Sequence, residues 1–315
     1  MDINGDGLKD ILIGSFSGAP QWIVNTKDGY GESTGVVDKN GNLVVLSTFW
    51  DFEVEDWDES DGTGTTGQCS SVAAVDWDDD VDMDLLLGDY WKGGLFLRLN
   101  EGNATETKFA TTNQPVKVGD ESIAFEGGIG APRVVDWDGD GLFDIVVGTI
   151  HGEVALFRNA GTKGAPEFPE MTTLVELLPG PAGSKQIKRV PAKDGLPVGP
   201  GSSFHIELVD YDGDGDLDLL VGGRSEWLTG PLKEPTEEEL ELAKNLKEES
   251  SAAYSKFSKL KKAAAAVGDD ELEKFQSSEE ARGLLKKYRS KRSEAIAITS
   301  DPIERGDFVW LFRQR

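Results

Sequence analysis

Four short apolar runs, each closed by a glycine, organise this chain: "ILIG" at 11–14, "LLLG" at 85–88, "IVVG" at 145–148 and "LLVG" at 219–222. Aliphatic runs of this length, bounded by Gly and Asp, read as β-strands. Around the second run the neighbours complete a unit. "SVAAVDW" precedes it, "GGLFLRLN" alternates after a Gly-Gly turn, and "KFATTNQPVKV" follows. The third unit repeats the plan with "PRVVDW", "DIVVGTI", "GEVALFRN" and a fourth strand near "MTTLVELL". Four short antiparallel strands per unit, in tandem, predict an all-β fold: a β-propeller of four-stranded blades with four repeats visible.

One segment has a different period. From Thr236 to about Ile296, Leu240, Ala243, Leu246, Ala253, Phe257, Leu260 and Ala264 recur at helical spacing in a Glu-, Lys- and Ala-rich background. Thr236 to Glu239 fits a capping box after Pro235, and Ser277 to Glu280 fits a second after "VGDD". The pattern predicts two helices in antiparallel contact. The closing "GDFVWLFRQR" has the pattern of the third strands, so the helices interrupt the last blade. The expected organisation is blades over 1–231, a helical hairpin insertion over 232–300 and a closing strand over 301–315.

Immediately before each apolar run lies a nine-residue acidic stretch. The copies are Asp2, Asn4, Asp6, Asp10; Asp76, Asp78, Asp80, Asp84; Asp136, Asp138, Asp140, Asp144; and Asp210, Asp212, Asp214, Asp218, at positions 1, 3, 5 and 9. Their starts are 74, 60 and 74 residues apart, too long for solenoid turns and suited to blades with generous loops. Oxygens at this spacing suit a hard cation such as Ca²⁺, which takes six to eight of them. A backbone carbonyl at position 7, from Leu8, Asp82, Leu142 or Asp216, would add another. Glycine at position 6 permits the tight turn in three copies. Val81 stands there in the second, and a β-branched residue resists positive φ, so this copy is expected to be the weakest binder. An EF-hand would need Glu at position 12 and flanking helices, and here that position is aliphatic and the flanks are strands.

The motif D-x-D-x-D-G-x-x-D followed by an aliphatic triplet and Gly resembles the calcium loops of FG-GAP/VCBS-repeat proteins, the propeller family that includes integrin α-subunit heads. The resemblance covers most of residues 1–230 plus the closing strand. It implies Ca²⁺ between the first two strands of each blade and an extracellular, cell-surface or periplasmic setting. Val81, Asp79 and the helical insertion depart from the pattern. The chain opens inside the first motif, which leaves the first blade without its first strand; a four-bladed ring and a larger one with blades upstream both stay open, and the closing third-type strand favours truncation or an exposed edge that recruits another chain.

Charge narrows the partners. The net charge is −26, and residues 232–300 are neutral with 14 basic and 14 acidic side chains, so the acidity lies on the β part. Such a field repels phosphate backbones and anionic membranes, which argues against nucleic acid as a partner. No apolar run reaches membrane-spanning length, so no membrane insertion is expected. Cys69 stands alone, excluding an internal disulfide framework and a cysteine-built zinc site.

The loops at the opposite end of the blades carry Phe16, Trp22, Tyr90, Trp91, His151 and Trp227. Aromatic platforms beside polar groups suit a carbohydrate or a protein ligand. The expected function is therefore a noncatalytic recognition or scaffold module, with oligomerisation through an unpaired blade edge or the helical hairpin as a further expectation. The alternative is a propeller-type polysaccharide lyase. Such lyases abstract a proton with His, Tyr or Lys/Arg, which draws attention to His151 and His205, and neither sits in a recognisable catalytic motif.

Overall fold

The computed structural model describes residues 1–51, 56–59, 67–125, 128, 130–150, 153–176, 190, 192–230 and 233–314. Among these the chain is mostly β, with seven antiparallel sheets and three helices. The first sheet contains β1 (Ile11–Ile13), β2 (Gln21–Thr26) and β3 (Gly29–Gly35), and a hairpin of β4 (Thr48–Asp51) and β5 (Asp56–Glu59) follows. The second contains β6 (Cys69–Val75), β7 (Asp84–Asp89), β8 (Leu95–Arg98) and β9 (Gln114–Pro115), and is followed by the hairpin of β10 (Lys117–Val118) and β11 (Glu121–Ser122). The third contains β12 (Gly130–Val135), β13 (Asp144–Thr149), β14 (Val154–Phe157) and β15 (Met171–Val175). After the hairpin of β16 (Ala192–Lys193) and β17 (Leu196–Pro197), the last sheet joins β18 (Ser202–Val209), β19 (Asp218–Leu228) and β20 (Ile303–Phe312). The middle two repeat sheets have four strands and the outer two have three. In the second, the long segment expected as a fourth strand forms a two-residue strand at Gln114 and Pro115, with a separate bridge between Phe109 and Asn100.

The aliphatic triplets explain how one sheet packs on the next. A strand alternates its side chains between faces. Leu85 and Leu87 of β7 pack with Leu12 and Trp22 of the first sheet, while Leu86 joins Ile145, Val147 and Phe157 of the third. Val146 of β13 turns the other way, towards Ile206, Leu219 and Val221. Each central triplet is thus buried on both faces, and each such leucine contributes about 1.5–3 kcal/mol. After the first two triplets the closing glycine admits the neighbouring sheet. A Cβ at Gly88 would lie 1.9 Å from the Gly130 carbonyl oxygen, and one at Gly14 would lie 2.6 Å from that of Ser70. The two ends of the stack are less covered, with Ile11 exposed on the first sheet and Val309 on the last.

The chain divides into two compact units, Met1–Glu226 with Arg305–Arg315, and Trp227–Glu304. The second contains α1 (Glu237–Ala265), α2 (Asp269–Ser277) and α3 (Glu279–Thr299). Two helices were the expectation; the break at Gly268, with φ 146°, leaves room for the extra short helix α2. Helices α1 and α3 run antiparallel, with Ala243 and Leu246 against Ala295, the Ser250 hydroxyl donating to the Tyr288 carbonyl, and Lys256 paired with Glu280. The capping box of Thr236 and Glu239 forms. The second start differs: Ser278, not Ser277, is the cap, accepting from Ala281 N, because Ser277 is the last residue of α2 and donates back to Glu273 and Lys274. With alanine three residues after the cap, no reciprocal box is possible.

Candidate metal centres

All four acidic loops adopt one conformation, set by their own carboxylates. The position-1 aspartate accepts from the backbone N–H of position 6: Asp2 from Gly7 at 2.8 Å, Asp76 from Val81 at 3.1 Å, Asp136 from Gly141 at 3.0 Å and Asp210 from Gly215 at 3.2 Å. The position-5 aspartate accepts from position 7, at 2.8 Å for Asp6 and Leu8, 3.0 Å for Asp80 and Asp82, 2.8 Å for Asp140 and Leu142, and 3.1 Å for Asp214 and Asp216. Short polar side chains closing turns on their own backbone are the reason these residue types nucleate such loops.

Positions 4 and 6 both require positive φ. Glycine supplies it in three loops, as at Gly139 (75°) and Gly141 (86°). In the second loop Asp79 (61°) and Val81 (75°) are driven into the same region, so Val81 resists the turn energetically yet adopts it. Strain of this kind costs about 1–3 kcal/mol per residue and persists where the surroundings over-determine the backbone.

The position-9 aspartates have a role that sequence spacing did not reveal. Each is buried, and its two oxygens accept one backbone N–H from position 2 of its own loop and one from a segment further along the chain. Asp10 binds Ile3 and Asn25 (3.0 and 2.8 Å), and Asp84 binds Trp77 and Asn100 (2.9 and 2.6 Å). Asp144 binds Trp137 and Asn159 (2.9 and 2.8 Å), and Asp218 binds Tyr211 and Gln314 (3.2 and 3.0 Å). Every one ties the loop to the end of the strand that follows its triplet, β2, β8, β14 or β20. The second partner is Asn or Gln in all four repeats, and that recurrence was a readable signal. Asn100 and Asn159 extend the tie, their Oδ1 atoms accepting from Gly102 and Lys108, and from Gly161 and Glu167.

Three loops bring carboxylate oxygens within 4.8 Å of one another: Asp76, Asp78 and Asp80; Asp136, Asp138 and Asp144; and Asp210, Asp212 and Asp214. Asn4 at position 3 leaves the first loop without such a triad among the described residues. A carboxylate oxygen that accepts one N–H retains a lone pair for a cation. Electrostatics express the crowding most strongly in the second loop. Burial, then repulsion from Asp80, pushes Asp82 up to about 6, and burial pushes Asp84 up to about 7. Burial followed by Asp80 and Asp76 raises Asp78, and burial raises Asp144. Asp82 is 1% exposed and neither carboxylate oxygen has a hydrogen-bond partner, and it stands outside the group of Asp76, Asp78 and Asp80. That group offers oxygen donors alone, a set that fits a hard divalent cation.

At the loop end between the second and third strands, Phe16 and Tyr90 meet edge to face at 4.6 Å. The Tyr90–Trp91 turn is pinned by Asp89, whose oxygens accept from Trp91 N and Lys92 N at 3.0 and 2.8 Å. Phe16 and Trp91 are exposed. Hairpin β4–β5 joins this end through the Trp50 N–H donated to Ser17, and stacks Trp50 edge to face on an exposed Trp57. Neither tryptophan was singled out from sequence, because nothing local says that this hairpin folds beside Phe16. Trp22 is half-buried against the core beside Leu85, and Trp227 is buried and offers no platform. His205 is exposed on β18, and His151 lies outside the described residues. Cys69 is buried and its thiol is pushed up to about 12 by desolvation, which makes it inert.

No protein-family model matches the chain, and no curated protein matches it closely enough to count as a relative. No helix among the described residues is long and apolar enough to cross a membrane.

Proposed function

We propose that this chain is a calcium-loaded repeat module of the FG-GAP/VCBS kind, its stacked sheets the blades of a β-propeller, and that it works as a noncatalytic recognition or scaffold element in an extracytoplasmic setting. The observation that carries the reading is the single loop geometry recurring before all four triplets, with clustered carboxylates in three of them. Asp2, Asn4, Asp6 and Asp10, and their counterparts, would hold the cation, with Leu8, Asp82, Leu142 and Asp216 offering carbonyls. The ion would cancel the repulsion among the carboxylates and leave the strand connections rigid. The aromatic group of Phe16, Tyr90, Trp91 and Trp57 supports recognition at the other end of the sheets, where rings beside backbone polar groups favour a sugar face over a charged ligand. The lyase alternative gains no support from His205, which stands exposed.

A glycan array run in calcium, alongside an absorbance assay for unsaturated uronate, tests the reading. Retention of a glycan without product is expected, and product formation would replace the binder by a lyase. Differential scanning calorimetry in calcium and in chelator tests the metal: an unchanged melting temperature rules it out.

A further inference from the structure

A cleft of about 540 Å³ is lined from the second and third repeats, on residues that the aromatic end of Phe16 and Trp91 does not use. Its size falls within the range of about 300–1,000 Å³ that small ligands occupy. Trp77, Leu97, Val116 and Phe168 form its apolar side. Leu97, Val116 and Phe168 are buried, and Trp77 is half-buried against Phe143 and Phe168, with ring centroids 5.4 and 6.1 Å away. The same position of the third loop is Trp137, which is buried, so the second loop differs in presenting part of an indole to a cleft. The walls are preformed. Pro115, Pro166 and Pro169 have fixed φ, and the Gly119 N–H donates to the Phe168 carbonyl at 2.8 Å, tying the β10–β11 turn to the facing segment. A ligand entering such a cleft orders little of the chain.

Gln114, Lys117, Asp120 and Glu167 line the same cleft, all exposed, and among the described residues none of their side chains has a hydrogen bond or an ion pair. This set limits the ligand. Carboxylates only accept, an ammonium only donates, and an amide does both. A phosphate or sulfate would face Asp120 and Glu167 in a chain of net charge −26, and a polyproline segment brings no N–H for those carboxylates. A sugar hydroxyl both donates and accepts, so hydroxyls around one ring answer all four groups, while the C–H face of that ring suits an indole. We propose that this cleft binds a neutral pyranose, stacked on Trp77 and held at its hydroxyls by Gln114, Lys117, Asp120 and Glu167. It is a second carbohydrate position, separate from the Phe16 and Trp91 end, and it does not depend on the metal reading.

An array carrying neutral glycans, uronate glycans and an immobilised proline-rich peptide, probed with the full chain, tests the assignment. A subset of the neutral glycans held by wild type should be lost when Asp120→Ala and Glu167→Ala are combined, and kept in Trp91→Ala. Titration calorimetry with one such glycan should show affinity at least about tenfold weaker in the double variant and in Trp77→Leu, with Trp77→Phe, which keeps a ring, in between. The double variant should melt with wild type, since both side chains are exposed and unpaired, so its lost binding is not lost fold. Neutral glycans held equally by wild type and the double variant overturn this inference and leave the Phe16 and Trp91 reading standing. Retention that depends on the cleft only for uronates, or only for the peptide, overturns the choice of ligand. A wild type that holds no glycan overturns both readings.

Discussion

Asp84 accepts the backbone N–H of Asn100 at 2.6 Å, joining the start of β7 to the end of β8, while its second oxygen takes the N–H of Trp77 at 2.9 Å. The acidic loop is therefore part of the sheet's own hydrogen bonding as well as a set of ligands. Asp84→Ala would leave two buried N–H groups without acceptors, a loss of about 2–5 kcal/mol. The equivalent Asp144→Ala should cost a similar amount. Urea unfolding in chelator checks both, since metal then contributes nothing.

Val81 is exposed and held at φ 75°. Replacing it by glycine, as at the same position of the other loops, removes strain without removing a contact. Val81→Gly is expected to stabilise the protein by about 1 kcal/mol. A lower melting temperature would show that Val81 makes a compensating contact.

The raised carboxyls of the second loop predict an unusual pH dependence. With folded values of about 6 for Asp82 and about 7 for Asp84 against 3.8 for the ordinary group, the folded chain binds more protons than the unfolded one across that interval. Their contribution to stability is present below the ordinary value and is lost as pH rises through the folded ones. Calcium binds the deprotonated form, so the stability it adds should grow over the same interval. Melting temperatures with and without calcium, measured from about pH 4 to about pH 7, should diverge as pH increases.

Arg98 is 1% exposed, and its guanidinium donates to Asn113 Oδ1, Ala110 O and Val45 O at 2.7, 2.7 and 2.9 Å. It joins three segments of the chain. Lysine cannot reproduce three divergent planar donors, so Arg98→Lys is expected to cost about 3 kcal/mol by chemical denaturation.

Trp91→Ala and Phe16→Ala remove exposed rings, so each should leave stability within about 0.5 kcal/mol of wild type. Ligand retention on the glycan array should fall in both. Retention equal to wild type would place recognition elsewhere.

Much of this molecule was legible because its information is local and repeated. The triplets Leu85–Leu87 and Ile145–Val147 read as strands from their own aliphatic residues, and Thr236 with Glu239 caps α1 by contacts three residues apart. The helix break at Gly268 was visible, but the short α2 beyond it was not. The position-9 aspartates were read as ligands alone because their second partners, such as Gln314 for Asp218, lie up to 96 residues away.

The sequence by itself determined the repeat, the strand triplets, the turn chemistry of the acidic loops and the helical segment, all governed by neighbours within a few positions. Only the tertiary structure decided that Val81 would accept positive φ, that Asp82 would be buried without a donor, that Trp227 would be core, and that Trp57 would join the aromatic end. Those outcomes depend on which distant surfaces close over a residue, and burial of that kind overrides the preference of any single side chain.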